Sequence, residues 1–408
     1  MKEYNADFHM HSKYSGGSSD AMVLPEIARQ AVLKGLDLVG TSDATNPNWL
    51  EHLEEHLTMD GDGAYAIKGY KTKFIVTTEI EDSYRVHHLI LLPTIDAAKE
   101  LRRKLSPHSV DIDREGRPHI QLAGEKLAEF TADVGGMLGP SHAFTPWTAV
   151  YKEYRTLAEC YGGMLHHVKY LELGLSADTD MADRIGELQE LTFMSNSDCH
   201  SPSPHRLGRE FNRVLMKNPG FDEVRQAIER HGGRRFTLNA GLNPREGKYH
   251  LTACSRCFTK FMMTDAVNLR WRCPECGGII KKGVADRISE LASFSEVRHP
   301  KHRPPYIHSL PLAECIALVL GIKTLTSGRV QEMWHRFVEA CGSEISALID
   351  APVEDLKAVD IGVAGVIDRF RRDRLDYVAG GGGQYGRPTL TGEKDEFYGI
   401  GQKKLGDF

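Results

Sequence analysis

No stretch of this 408-residue chain holds more than eight consecutive apolar residues, Cys315 to Ile322, before Lys323 ends the run. A bilayer-spanning helix needs about 20, so no membrane partner is expected. The chain opens Met1-Lys2-Glu3-Tyr4-Asn5-Ala6-Asp7, without the apolar segment of a secretory leader, which leads to the expectation of a cytoplasmic protein. Charge of one sign is also missing: 51 Lys and Arg against 56 Asp and Glu give a net −5, with no global pull toward a polyanion. Internal repeats of about 20 to 50 residues are absent, which argues against a solenoid. What is present is ordinary globular composition, 41% apolar and 26% charged, which excludes a wholly disordered, collagenous or fibrous chain. The length suits two or three domains at roughly 150 residues each.

Charge is segregated where it is not in excess. From His231 to Leu310 there are 14 Lys and Arg against 6 Asp and Glu, so a basic segment is joined to an acidic remainder. That segment holds four of the eight cysteines, Cys254-Ser255-Arg256-Cys257 and Cys273-Pro274-Glu275-Cys276, two knuckles separated by 15 residues. Such spacing lets two tight turns offer four thiolates to one tetrahedral zinc ion, structural because no coordination position is left open. Around it Lys248, Arg256, Lys260, Arg270, Arg272, Lys281 and Lys282 alternate with Tyr249, Phe258 and Trp271, a composition suited to nucleic acid. The isolated Cys160, Cys199, Cys315 and Cys341 are expected as reduced thiols.

Residues 1–240 alternate short β-branched runs with amphipathic stretches. Expected strands are Tyr4 to Met10, Leu36 to Thr41, Lys73 to Thr78, His87 to Leu92, Gly136 to Pro140, Tyr170 to Leu173 and Thr192 to Ser195, with helices at Leu24 to Lys34 and Phe221 to His231. Residues 241–297 form the cysteine module. Residues 298–379 begin with the basic, proline-rich Arg298-His299-Pro300-Lys301-His302-Arg303-Pro304-Pro305, expected as a connector or nucleic-acid arm, and continue as about four helices broken at Gly321, Gly342, Pro352 and Gly362. Residues 380–408 open on Gly380-Gly381-Gly382-Gly383 and are expected as a flexible tail.

Candidate metal ligands gather at strand ends. His9 and His11 are two apart, so along a strand both imidazoles face one side; Asp198 and His200 repeat the spacing. Asp43, Glu79, His88 and His142 each fall at or near the C-terminal end of an expected strand, the face where β/α barrels build active sites. Glu172 and Asp20 are further candidates. Imidazole and carboxylate ligands in this number suit two or three divalent ions, Zn²⁺, Mn²⁺ or Mg²⁺. A second pattern, His52-Leu53-Glu54-Glu55-His56, fits a zinc-peptidase motif, but Trp49, Leu50, Leu53 and Leu57 explain that helix as an amphipathic face.

Asp7-Phe8-His9-Met10-His11-Ser12 and Ser197-Asp198-Cys199-His200-Ser201 resemble the first and last motifs of the polymerase-and-histidinol-phosphatase (PHP) superfamily. That resemblance implies a distorted (β/α)7-type barrel around two or three metals, with Asp43, Glu79, Asp198 and His200 in the catalytic machinery. Ala44 departs from it, standing where many members place a ligand histidine. His88 is preferred over His87 as a ligand because Leu89-Ile90-Leu91 follows it. The order of parts, together with Leu173-Gly174-Leu175-Ser176-Ala177-Asp178, Asn243-Pro244-Arg245-Glu246-Gly247-Lys248-Tyr249-His250 and Gly380 to Gly386, is similar to the endonuclease Q family. This resemblance implies a DNA-repair endonuclease that cuts 5′ of deaminated bases (uracil, hypoxanthine, xanthine) and abasic sites; the alternative is a PHP phosphoesterase of a small monoester or nucleotide. Finally, Gln402-Lys403-Lys404-Leu405-Gly406-Asp407-Phe408 resembles a sliding-clamp-binding peptide, with Gln402, Leu405 and Phe408 as its contacts.

Overall fold

A computed structural model gives the fold and describes residues 1–61 and 63–398; the clamp-like peptide with Gln402, Leu405 and Phe408 lies outside the described residues. All seven expected strands form, as β1 (Lys2–Asp7), β2 (Leu38–Gly40), β3 (Lys73–Glu81), β4 (His87–Leu92), β5 (Met137–Pro140), β6 (Tyr170–Glu172) and β7 (Thr192–Met194). Of the later strands, three join the main sheet: β8 (Phe211–Met216), β9 (Arg235–Gly241) and β10 (Tyr306–His308). The result is a mixed α/β fold built on a ten-stranded sheet ordered β10-β9-β8-β1-β2-β3, extended from β3 by β4 and β5 and by a short hairpin. β6 and β7 form a separate parallel pair.

A regular (β/α)7 barrel would be parallel throughout, and this sheet is not. β1 with β8, β8 with β9, β3 with β4 and β4 with β5 are antiparallel. The cause between β3 and β4 is local: the link is too short for a helical crossover, and Asp82 Oδ1 closes it by accepting from the Tyr84 and Val86 amides at 2.8 Å each. Side chains bridge the breaks between the sheets. Asn239 Nδ2 donates to Phe193 O at 3.1 Å, tying β9 to β7, and the Tyr170 hydroxyl on β6 donates to Leu89 O on β4 at 2.6 Å. β5 and β6 press together at Gly139, where a Cβ would meet Tyr170 O at 2.5 Å.

Strand alternation sorts the interior into two packed sets. Leu38, Ile75, Leu89, Leu91 and Met194 share one cluster, while Val39, Phe74, Val76, Ile90, Leu92 and Phe193 face the surrounding helices in another. A separate core, including Leu312, Trp334, Phe337, Leu356 and Ile367, fills the helices after residue 310. These are Leu312–Leu320, Gly328–Cys341, Val353–Val359 and Ile361–Arg371. Gly321 and Gly342 end theirs at φ 65° and 82°, the left-handed conformation glycine adopts without strain. Gly362 is not a break but lies inside the last helix, whose cap is Asp360 accepting from the Val363 amide at 2.9 Å.

Two segments differ from expectation. Arg303, in the basic stretch, is no free arm: its guanidinium pairs with Asp183 at 2.8 Å, both side chains almost fully buried, and lies over the Phe193 ring. The glycine tract is no loose tail either. Gly380 N donates to Arg245 O, Gly383 N to Lys248 O and Gly386 N to Glu246 O, and the flanking Asp376–Val378 and Arg387–Thr389 pair as strands. Glycine is required at Gly382 and Gly386, where a Cβ would sit 2.2 and 2.1 Å from backbone oxygens of the cysteine module and its approach. Among the described residues, no helix is long and apolar enough to cross a membrane.

Candidate metal centre

β1 runs on past Asp7 and pairs with the loop after β7. His11 N donates to Cys199 O and Asp198 N to His9 O, both at 2.9 Å, with a parallel bridge between Met10 and Cys199. This register sets the His9/His11 pair beside Asp198 and His200: the His9 and His11 rings lie 5.3 Å apart and the His11 and His200 rings 4.4 Å apart. Asp43, His142 and Asp198 all take left-handed φ, 46°, 29° and 46°. Non-glycine residues held there are strained, and such strain concentrates at functional sites.

Three of the histidines, His9, His11 and His142, are oriented from behind. Glu172 Oε2 can only accept, so the His9 Nδ1–H donates to it at 2.8 Å and Nε2 is turned inward. Thr145 Oγ1 donates to His142 O and therefore accepts from His142 Nδ1 at 2.9 Å, again turning Nε2 inward. His11 Nδ1 faces Asp43 Oδ1 at 3.3 Å and Ser15 Oγ at 3.1 Å, leaving Nε2 3.2 Å from Asp198 Oδ1 and 3.3 Å from Glu79 Oε2. His9 Nε2, His11 Nε2 and Asp198 Oδ1 are buried without a hydrogen-bond partner. Buried polar atoms are ordinarily paired, so lone pairs converging on one point fit a cation.

Three overlapping triads have ligand atoms within 4.8 Å of one another: His9, His11 and Glu79; His11, Asp198 and His200; Glu79, His87 and His142. Electrostatics agree with this demand for positive charge. Burial alone would lower the His11 pKa, but Asp198, Asp43 and Glu79 outweigh it and push it up to about 10. Burial likewise opposes ionisation of Glu79, yet His87, His9 and Arg117 hold its carboxyl well below the usual range. Without a metal, protons on imidazole supply the charge the carboxylates require.

Of the expected ligands, His9, His11, Glu79, His142, Asp198 and His200 converge. His88 does not. On β4 it shares parity with Ile90 and Leu92, which face the helices, and it bonds Tyr161 Oη at 2.9 Å and Asp82 Oδ2 at 3.2 Å. His87 shares parity with Leu89 and Leu91, and its Nδ1 lies 3.1 Å from Glu79 Oε1 and 3.2 Å from His142 Nε2. Asp43 stands behind His11 rather than beside the cluster: Oδ2 accepts from Ser12 N at 2.7 Å, Ser12 Oγ at 2.6 Å and Ser15 Oγ at 2.9 Å. Ala44 is fully buried in the core, and Asp20 stays at the surface. Arg117 joins the site without a sequence signal: its Nη1 meets Glu79 Oε2 at 3.2 Å from a loop without periodic pattern. In the zinc-peptidase-like pattern, His52 Nε2 already accepts from Leu24 N at 3.3 Å.

The four cysteines also gather. Cys254 and Cys276 Sγ are 3.5 Å apart, Cys257 and Cys273 3.6 Å, and Cys257 and Cys276 3.4 Å. The edge of a tetrahedral site with 2.3 Å metal–sulfur bonds is about 3.8 Å, so the set fits one metal ion with little movement.

Fold and site together define an α/β protein with a histidine- and carboxylate-lined pocket suited to divalent metal and a separate four-cysteine cluster. Residues 311–374 match the family model described as the MJ0043 C-terminal domain. Over 262 residues the chain is 45% identical to the uncharacterized protein MJ0043 of Methanocaldococcus jannaschii; the match covers 63% of this chain, which spans about a third (32%) of that relative's length. It is 32% identical to the uncharacterized protein YqxK of Bacillus subtilis over 95% of this chain and 99% of that one. Among solved structures, the lesion-specific endonuclease PfuEndoQ from Pyrococcus furiosus matches with a TM-score of 0.91 and 51% identity over 95% of each chain. A structure of endonuclease Q with a 27-mer duplex bearing an abasic lesion at its active site matches with a TM-score of 0.89 and 51% identity, over 95% of this chain and 96% of that one. The chain belongs to the endonuclease Q family.

Proposed function

We propose that this protein is a metal-dependent DNA-repair endonuclease that cleaves the phosphodiester 5′ of abasic sites and of deaminated bases, uracil, hypoxanthine and xanthine. The observation that carries the reading is the 51% identity, over 95% of the chain, to an endonuclease structure holding abasic DNA. The unpaired, inward-facing His9 Nε2, His11 Nε2 and Asp198 Oδ1 supply the chemistry.

His9, His11, Glu79, His87, His142, Asp198 and His200 would hold two or three divalent ions, Zn²⁺, Mn²⁺ or Mg²⁺, and the four cysteines one structural Zn²⁺. Ions bound in the pocket provide an acidified water and positive charge for the phosphate. The protein's own part is positioning. Glu172 fixes the His9 ring, Asp43 and Ser15 fix His11, and Thr145 fixes His142, so the donor atoms need no rearrangement. Arg117 adds a cation that cannot deprotonate, suited to a phosphate oxygen. His9, His11 and Glu79 are sealed from solvent while the Asp198 side chain keeps 28% of its exposure, so a phosphodiester approaches from the Asp198 side. The sheet is read as an irregular PHP barrel, residues 1–240 as the catalytic unit, the cysteine module as a zinc ribbon and the C-terminal helices as a domain of their own. We also retain the cytoplasm as its compartment and Gln402, Leu405 and Phe408 as a sliding-clamp contact.

The test is incubation of the purified protein with Mn²⁺ or Mg²⁺, and then with chelator, on end-labelled duplexes carrying one abasic site, uracil or hypoxanthine. Metal-dependent nicking on the 5′ side of the lesion, with an undamaged duplex left intact, is the expected result. Turnover of a nitrophenyl phosphate with every duplex untouched would overturn the reading in favour of a small-molecule phosphoesterase.

A further inference from the structure

Of four tryptophans, only Trp147 is exposed, with 52% of its surface free. Aromatic surface of this size is normally buried. Its loop is also fastened to the candidate metal centre on both sides. Two residues before it, Thr145 accepts from His142 Nδ1, and the next residue, Thr148, offers its carbonyl to the His87 amide at 2.9 Å. The backbone that carries the indole is therefore held beside two histidines of the cluster.

Around it stands an alternation of cations and rings drawn from three distant parts of the chain. Lys281 Nζ lies 5.4 Å from the Trp147 ring, and the Tyr249 ring meets the indole edge-on at 5.7 Å and 84°. Lys248 Nζ lies 5.6 Å from both the Tyr249 and the Tyr385 rings, and Tyr385 is 71% exposed. The glycine tract brings Tyr385 there, since Gly383 N donates to Lys248 O at 2.9 Å. Among the described residues neither Lys248 nor Lys281 has a carboxylate partner, so both charges remain available. Exposed rings interleaved with unpaired lysines match a nucleic-acid strand, with π-faces for bases and ammonium groups for phosphates.

We propose that Trp147 is a stacking platform for a nucleobase of the DNA strand entering the metal centre, with Lys281 and Lys248 meeting the adjoining phosphates. The inference rests on the endonuclease reading and adds to it a positioning residue outside the metal cluster. Stacking on one ring is a large share of single-strand affinity, and Trp147 reports on itself because the indole is also a fluorophore.

The experiment is equilibrium binding of a duplex with one abasic site by the full zinc-loaded chain, carrying Asp198→Asn in every variant to prevent cleavage, followed by DNA anisotropy and by tryptophan emission. Trp147→Ala should weaken binding about tenfold and remove the emission quench that DNA produces in the Asp198→Asn parent. Trp147→Phe should restore most of the affinity, which a merely structural role would not predict. Lys281→Ala should lower the slope of log Kd against log salt by about one unit. Circular dichroism and zinc content check that each variant is folded. A wild type that nicks the lesion while Trp147→Ala binds within about twofold of the Asp198→Asn parent and keeps the quench would overturn the stacking role alone. A wild type that neither nicks nor binds damaged DNA would overturn the endonuclease reading beneath it.

Discussion

Glu172 and His9 lie 163 residues apart in the chain, yet the His9 Nδ1–H donates to Glu172 Oε2 at 2.8 Å with both side chains sealed from solvent. Glu172 also accepts from Asn196 Nδ2 at 3.1 Å, so the carboxylate is itself held. One acceptor thereby decides which nitrogen of His9 faces the pocket.

Glu172→Gln keeps the shape but exchanges a charged acceptor for a neutral amide. Partners of this kind are worth about 10–100-fold in metal affinity. Titration of the chelated protein with Mn²⁺ should show a loss of that size, while far-ultraviolet circular dichroism stays the same. Unchanged affinity would remove Glu172 from the account.

Removing metal from the cysteine module should act on structure. The module's own core is small: Cys254, Phe261, Ala266, Cys273 and Ile280. Folding of such units is coupled to the metal. Cys273→Ser should therefore lower zinc content by one ion per chain and make the segment around Ala253 to Lys281 sensitive to protease. Full zinc content in that variant would contradict the assignment.

A buried ion pair joins the first helix to the C-terminal helices. Lys34 Nζ lies 2.8 Å from Glu344 Oε1, and Glu344 also accepts from Trp334 Nε1 at 2.6 Å and Leu312 N at 3.0 Å. Breaking a buried pair by deleting one partner leaves an uncompensated charge and costs about 3–5 kcal/mol. Glu344→Ala should lower the thermal midpoint by several degrees and Lys34→Met by a similar amount. The double variant should cost less than the two losses combined.

Glu210 gives a pH dependence. Burial pushes its carboxyl up to about 8, well above the ordinary value of 4.5. A raised pKa means that the folded state binds the proton more tightly than the unfolded chain. Its contribution is then fully present below about pH 4.5 and is lost as pH rises toward about 8. Glu210→Gln should flatten the fall of stability across that window, as read from denaturation midpoints at several pH values. A variant with the same pH profile as the wild type would refute this.

Much of the site was legible because period-two geometry and ligand chemistry act locally. His9 with His11 and Asp198 with His200 announce themselves by spacing, as do the paired cysteine knuckles. His87 is hidden in the sequence because His87 to Leu92 is buried on both faces; with Leu89 to Leu92 apolar throughout, the alternation that assigns one parity to the pocket does not show. Asp43 looked like a ligand by its place at a strand end, whereas its role depends on Ser12 and Ser15 folding back onto it. Arg117 and Glu344 are set by tertiary contacts with no sequence period. The glycine tract looked flexible by composition, but its glycines are there so that two backbones can meet.

The central claim is that the pocket around Asp198 is the metal centre that cuts damaged DNA. The most direct measurement compares wild type with Asp198→Asn, a change that retains volume and suits the left-handed φ of 46° at this position. Nicking of an abasic duplex is followed with Mn²⁺, and duplex binding is measured alongside. The account predicts that the variant binds the duplex and melts near the wild-type temperature while nicking falls by about a hundredfold or more. Full nicking by Asp198→Asn would contradict it.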